Sequence, residues 1–291
     1  MSNVENFEKY LYEVGLSKSS ITKYNFVISE FHEWINNNKT IEITKAVVAD
    51  YKDYLKSTCK SITTCNNKLA VINKYLIYLG LGDFKVDYFK VAEKQYLDEN
   101  RCINKSDFDK LLKVADEEMK MILHTFAGTG IRVSELKYFT YVSVDVGVIH
   151  IDNKGKVRDV VLPRKLRQRL LDYCRNKNIK SGCIFTGRSK KNNINNKKSS
   201  NSHNNEDNKK PYDRCTIWAK LKRLAKLAGV VLTKAFPHAL RHFYARVHYE
   251  LYKDIETLKT ILGHTNIATT LIYLRQTLSE YARKVDVRLL E

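Results

Sequence analysis

A tyrosine, Tyr273, stands nine residues after His264 in the run Gly263-His264-Thr265-Asn266-Ile267-Ala268-Thr269-Thr270-Leu271-Ile272-Tyr273. Upstream lies His238-Ala239-Leu240-Arg241-His242, and before it Thr129-Gly130-Ile131-Arg132-Val133-Ser134-Glu135-Leu136. Two guanidinium groups, imidazoles and a late phenol suit one kind of pocket: it grips a phosphodiester and attacks it with a phenolic oxygen. Arginine fits because its planar fork matches phosphate geometry and stays charged. An ordinary phenol has a pKa of about 10, so at neutral pH it needs a base and an activated phosphorus. Taken singly each residue says little, since a lone arginine is usually a solvated surface group and a lone tyrosine on an apolar helix is usually core. Only the set, in this order, points to chemistry.

The elements that must carry these groups are legible in outline. Gly128 and Gly130 break a helix that runs from Met119 to Ala127, which puts Arg132 on the first turn of the next one. Pro237 fits a helix start, and helical spacing sets His238 and Arg241 on one face. Asp254 to Leu262 reads as a helix stopped by Gly263, from which His264 emerges; Thr265 can cap a short helix that carries Tyr273 about two turns along. Val148–Ile151 and Val157–Leu162 are β-type runs around Asp152-Asn153-Lys154-Gly155, a hairpin signal. Leu166, Leu170, Tyr173 and Cys174 follow Pro163 in a helical pattern. Ile217, Leu221, Leu224, Ala225 and Ala228 form another that ends at Gly229 and bears Lys220, Arg223 and Lys226 on its other face.

Ahead of this region the first 85 residues read as a four-helix unit. Its apolar stripes are Phe7–Val14, Ile21–Phe31, Val47–Leu55 with Thr44 as cap, and Leu69–Leu79. Residues 86–104 read as a linker, and Ser106 is a candidate cap for the helix that opens the second domain, residues 105–291. Arg188 to Lys210, rich in Asn, Lys and Ser, reads as a disordered insertion in a surface loop. The fold class is mainly α with a small β-sheet.

The chain has 291 residues, 51 of them Lys or Arg against 32 Asp or Glu, a net charge of +19. The insertion holds seven basic and two acidic residues, a surplus of +5, which leaves +14 on the rest. Such a field draws polyanions. With 43% hydrophobic residues the chain can build a core. No apolar run reaches the roughly 20 residues that span a bilayer, and the first residues lack a signal-peptide pattern. A cytoplasmic protein with no membrane association is the expectation. Cys59, Cys65, Cys102, Cys174, Cys183 and Cys215 form no C-x-x-C pair, so reduced thiols are expected rather than a metal site.

The motifs resemble those of the tyrosine recombinase (phage integrase) family. The family's T-G-x-R-x-x-E-L is matched by Thr129–Leu136, its H-x-L-R-H by His238–His242, and its L-G-H, with a tyrosine nine residues after the histidine, by Leu262–Tyr273. The family's hairpin lysine has a counterpart in Lys154 or Lys156; the x-Lys-Gly context favours Lys154. The stretch Leu136–Tyr141 is more aromatic than is usual there. The N-terminal helical unit also looks like the family's core-binding (SAM-like) domain, so the resemblance spans essentially the whole chain.

That resemblance implies the following chemistry. Tyr273 is the nucleophile. Arg132 and Arg241 clamp the phosphate, His238 takes the phenolic proton, Lys154 protonates the departing 5′ oxygen and His264 hydrogen-bonds the phosphate. Glu135 braces Arg132. The products are a 3′-phosphotyrosyl link and a free 5′ hydroxyl, with no metal and no cofactor. The implied partner is double-stranded DNA, bound by a homotetramer with possible accessory DNA-bending proteins, and the tail after Tyr273 packs onto a neighbouring protomer. A simple-site, Xer-like enzyme is expected. A type IB topoisomerase-like enzyme would use the same chemistry; a DNA-binding module that has lost catalysis is disfavoured by the intact set.

Overall fold

The computed structural model describes residues 3–39, 42–92, 95–153, 155–188 and 209–285. The chain divides into two compact units, residues 1–93 and 94–291. The first holds α1 (Asn3–Glu13), α2 (Lys18–Asn37), α3 (Lys45–Thr58) and α4 (Ile62–Tyr78). Ser17, Thr44 and Ser61 cap the last three, each accepting a backbone N–H from the first turn. One stripe of each helix meets in a core of Phe7, Leu11, Ile28, Phe31, Tyr51, Leu55, Leu69, Ile72 and Tyr75. Asn66 and Asn73, seven residues apart and so on one face of α4, each bond both the N–H and the C=O of an extended segment, at Phe89 and Val86.

The second unit contains α5 (Lys105–Val114), α6 (Glu117–Thr129), α7 (Tyr141–Val146), α8 (Arg164–Asn176), α9 (Arg214–Ala228), α10 (Pro237–Tyr252), α11 (Ile255–Leu262), α12 (Ile267–Leu274) and α13 (Leu278–Val285). Two small antiparallel sheets accompany them. β1 (Val148–Asn153) pairs with β2 (Lys156–Val161), and β3 (Thr186–Arg188) with β4 (Lys209–Pro211). Mainly α with small sheets is therefore the observed class. Arg188, Lys209 and Lys210, inside the span read as an insertion, are strand residues; 189–208 lie outside the described residues.

α6 and α10 form the spine of this unit. Its core runs from Phe108 and Leu111 through Ile122, Phe126 and Ile149 to Leu221 and Leu240. Two caps differ from the sequence reading. α5 starts after Asn104, not Ser106, because Asp107 at the third helical position returns a bond to the Asn104 backbone and completes a capping box. α12 starts after Asn266, not Thr265; the Asn266 side chain accepts from the Ala268 N–H. Among the described residues no helix is long and apolar enough to cross a membrane.

Candidate active site

Arg132 is delivered by a chain reversal. α6 ends at Gly130, in the left-handed region with φ 62°, and Arg132 becomes the N-cap of a 3-10 turn, Val133–Tyr138. It thus sits just before the next helical turn rather than on it. Glu135 is fully buried and accepts from the Arg132 backbone N–H at 2.8 Å and from Arg132 Nη1 at 3.0 Å. Arg158, reaching in from β2, donates to Oε2, the oxygen that takes the Arg132 backbone N–H, and Asn153 donates to Oε1, the oxygen that takes Nη1, at 3.2 Å. Burial alone would push the Glu135 carboxyl up, but the Arg132 N–H and the Arg158 guanidinium outweigh it and hold the group below its ordinary range. Glu135 is a charged brace between two arginines.

Arg241 lies one turn into α10 and is 1% exposed. Its Nη1 donates to the Gly130 carbonyl at 2.7 Å and its Nη2 to the Leu262 carbonyl at 2.6 Å. These carbonyls lie at the C-terminal ends of α6 and α11, where helix dipoles favour a cation. Burial first, then the nearby Arg132, lowers its pKa to about 10, so it stays charged at neutral pH. Its Nε has no hydrogen-bond partner among the described residues. A buried donor left over beside Arg132 is suited to an oxyanion.

His264 follows Gly263, the left-handed stop of α11. Its Nε2 faces Arg241 Nη2 at 3.0 Å and its Nδ1 faces Thr270 Oγ1 at 2.9 Å. Burial, then Arg241 and Arg132, lowers its pKa to about 4. Tyr273 sits near the end of α12, 6% exposed, with its hydroxyl 2.9 Å from His238 Nε2. Burial and then Arg241 push His238 below its ordinary value, so its neutral, proton-accepting form prevails at neutral pH.

The structure thus brings together Arg132, Glu135, His238, Arg241, His264 and Tyr273. Lys154 lies outside the described residues. Lys156 opens β2, its backbone paired with Asn153. A cavity of about 780 Å³ opens beside Arg132, His238 and Arg241 and is also lined by Arg101, Arg214, Trp218 and Lys222.

Two neighbours escaped the sequence reading. Arg158 holds both Glu135 and the Ile261 carbonyl. A signal existed: period 2 puts it on the same strand face as buried Val160, whereas Val157 and Val161 are each 72% exposed. His242 stacks on the Tyr273 ring, centroids 4.0 Å apart and planes at 21°; its spacing of four from His238 was visible, its partner on α12 was not.

The sequence and the fold are similar to those of known proteins. The chain is 25% identical over 290 residues to tyrosine recombinase XerA of Pyrococcus furiosus, covering 97% of this chain and 92% of that protein. Its fold matches that of XerH site-specific recombinase bound to difH substrate, with TM-score 0.66, 18% identity and coverage of 99% and 85% of the two chains. It also matches a lambda integrase dimer bound to a core site, with TM-score 0.69, 14% identity and 94% of each chain covered. The sequence pattern of the phage integrase family extends over residues 101–280, from the turn before α5 to α13, and takes in Arg132, Glu135, His238, Arg241, His264 and Tyr273. The chain belongs to the phage integrase family.

Proposed function

We propose that this chain is a tyrosine-type site-specific DNA recombinase that breaks and rejoins duplex DNA in the cytoplasm through a phosphotyrosyl intermediate. One observation carries this: the Tyr273 hydroxyl meets the neutral His238 at 2.9 Å inside a pocket that holds two arginines. The phenol gives its proton to His238 Nε2 as the oxygen attacks phosphorus. Arg132 and Arg241 stabilise the charge that develops on the non-bridging oxygens. Glu135 fixes Arg132. Lys154, or Lys156 two residues on, protonates the departing 5′ oxygen. A 5′ hydroxyl from another strand later reverses the attack, so the phosphodiester bond energy is conserved. The assembly is a homotetramer on double-stranded DNA, with accessory DNA-bending proteins where the site requires them.

The test uses nicked suicide duplexes drawn from DNA flanking the gene and from the host replication terminus, denatured after incubation. The full chain should leave a covalent protein–DNA band, and Tyr273→Phe should bind equally and leave none. Equal binding with no band from either protein would sink the reading. Relaxation of a site-free supercoiled plasmid as fast as one carrying the site would instead favour a topoisomerase.

A further inference from the structure

Tyr273 is held by more than its hydroxyl. The hydrogen bond to His238 fixes the phenolic oxygen but leaves the ring free to turn about its long axis. That rotation matters chemically. The O–H bond and the attacking lone pair lie in the ring plane, so the plane decides whether the proton points at His238 and the lone pair at phosphorus. α12 is only eight residues long, and Tyr273 is its second-last residue. On the outward side of this helix Leu271 and Ile272 are 50% and 44% exposed, so α12 itself supplies little that could grip the ring.

The closest ring contact comes from α10. His238 and His242 are four residues apart and lie on one helix face. His238 meets the ring edge-on, with centroids 5.2 Å apart and planes at 62°. His242 lies flat against it at 4.0 Å and 21°, and meets His238 edge-on at 5.1 Å. The three rings touch one another pairwise, and His264 adds a tilted contact to the Tyr273 ring at 5.2 Å and 40°. We infer that His242 is the positioning residue that sets the plane of the Tyr273 phenol against His238. The inference rests on the proposed role of Tyr273 as nucleophile.

His242 does not act as a second base in this arrangement. Stacked nearly parallel to the phenol, it turns its π-face to Tyr273, and its ring nitrogens lie in a plane that runs alongside that ring. Burial, then His238 and Arg241, lowers its pKa to about 3, so it adds no charge to the site at neutral pH. A flat neutral ring is what the position requires; the imidazole nitrogens are dispensable.

His242→Phe and His242→Leu separate positioning from packing, because both fill the space with apolar atoms and only Phe can stack. The readout is the single-turnover rate of covalent complex formation on a suicide duplex at saturating protein, with DNA affinity and thermal melts measured alongside. His242→Phe should cleave within about 3-fold of the unmodified chain. His242→Leu should be slower by about 10-fold or more at unchanged DNA affinity, since misplacing a reacting group by ~1 Å can cost ~100-fold. Equal rates for Leu and Phe, or a Phe variant as slow as Leu, would overturn the inference. Should the Leu variant melt without a cooperative transition, the Phe rate alone decides. Absence of a covalent complex from the unmodified chain would count against the proposed function instead.

Discussion

Arg241 and His264 meet at 3.0 Å, and a guanidinium can only donate, so Nε2 of His264 must be the acceptor. Its proton therefore sits on Nδ1, which donates to the buried hydroxyl of Thr270. In this tautomer His264 has no N–H left for a phosphate. It becomes a phosphate donor only by taking a second proton at Nε2, a step that an anion between Arg132 and Arg241 makes less costly. The same lowered pKa has a consequence for stability. With a folded pKa of about 4 against an unfolded value near 6.5, His264 binds more protons when unfolded. His242, at about 3, does the same. Their contribution is whole above pH 6.5 and drains away as pH falls toward the folded values. Thermal melts should therefore show a falling midpoint between pH 6.5 and 4, and His264→Asn should make that fall shallower. A midpoint that is flat, or that rises, over this window would contradict the assignment.

Two left-handed glycines do at the element scale what the side chains do within the pocket. Gly130 ends α6 and Gly263 ends α11, and each reverses the chain just ahead of a site residue. Arg241 then ties the two ends together through the Gly130 and Leu262 carbonyls. A Cβ at Gly130 would lie 2.3 Å from the Tyr244 ring, whereas at Gly229, with nearly the same φ, it would meet open space. The left-handed backbone costs a residue with a Cβ about 1–2 kcal/mol. Gly229→Ala should show only that, a midpoint drop of about 2–8 °C at ~2–4 °C per kcal/mol, with cleavage intact. Gly130→Ala should drop further and lose cleavage, because Tyr244 has to move and the carbonyl that Arg241 holds moves with it. Equal losses in the two variants would mean that Gly130 is an ordinary helix stop. The glycine stops, Pro237 and the hairpin were readable because each is a local signal. Ser106 and Thr265 misled because other cap-forming residues stand beside them, and partners such as Asp107 decide between them. Arg158 and His242 act on residues 23 and 31 or more positions away, and no local pattern shows a partner at that range.

At the scale of the whole molecule, the surplus of +14 outside residues 188–210 supplies a field for DNA, but a field does not count protomers. The tail bears on that. α13 is held to its own unit mainly by polar links: Glu280 pairs with Arg246 and accepts the Thr277 N–H, the Ser279 N–H reaches Glu99, and Leu97 forms a bridge with Thr277. Its apolar stripe stays largely in solvent, with Leu278 60%, Tyr281 45% and Val285 56% exposed, although Tyr281 packs against Tyr96. A helix with so little apolar surface buried at home loses little by leaving, and gains by covering that stripe elsewhere; about 25 cal/mol per Å² favours the move. In a cyclic assembly each protomer can give its tail to the next, so every stripe is covered once and the ring closes. Deleting Leu278 to Glu291 should leave binding of one protomer to a single duplex within about 3-fold. It should abolish slower-migrating complexes that join two duplexes, read by native gel and by sedimentation at matched salt. Joined duplexes that form as readily without the tail would show that protomers meet through other surfaces and that α13 belongs at home.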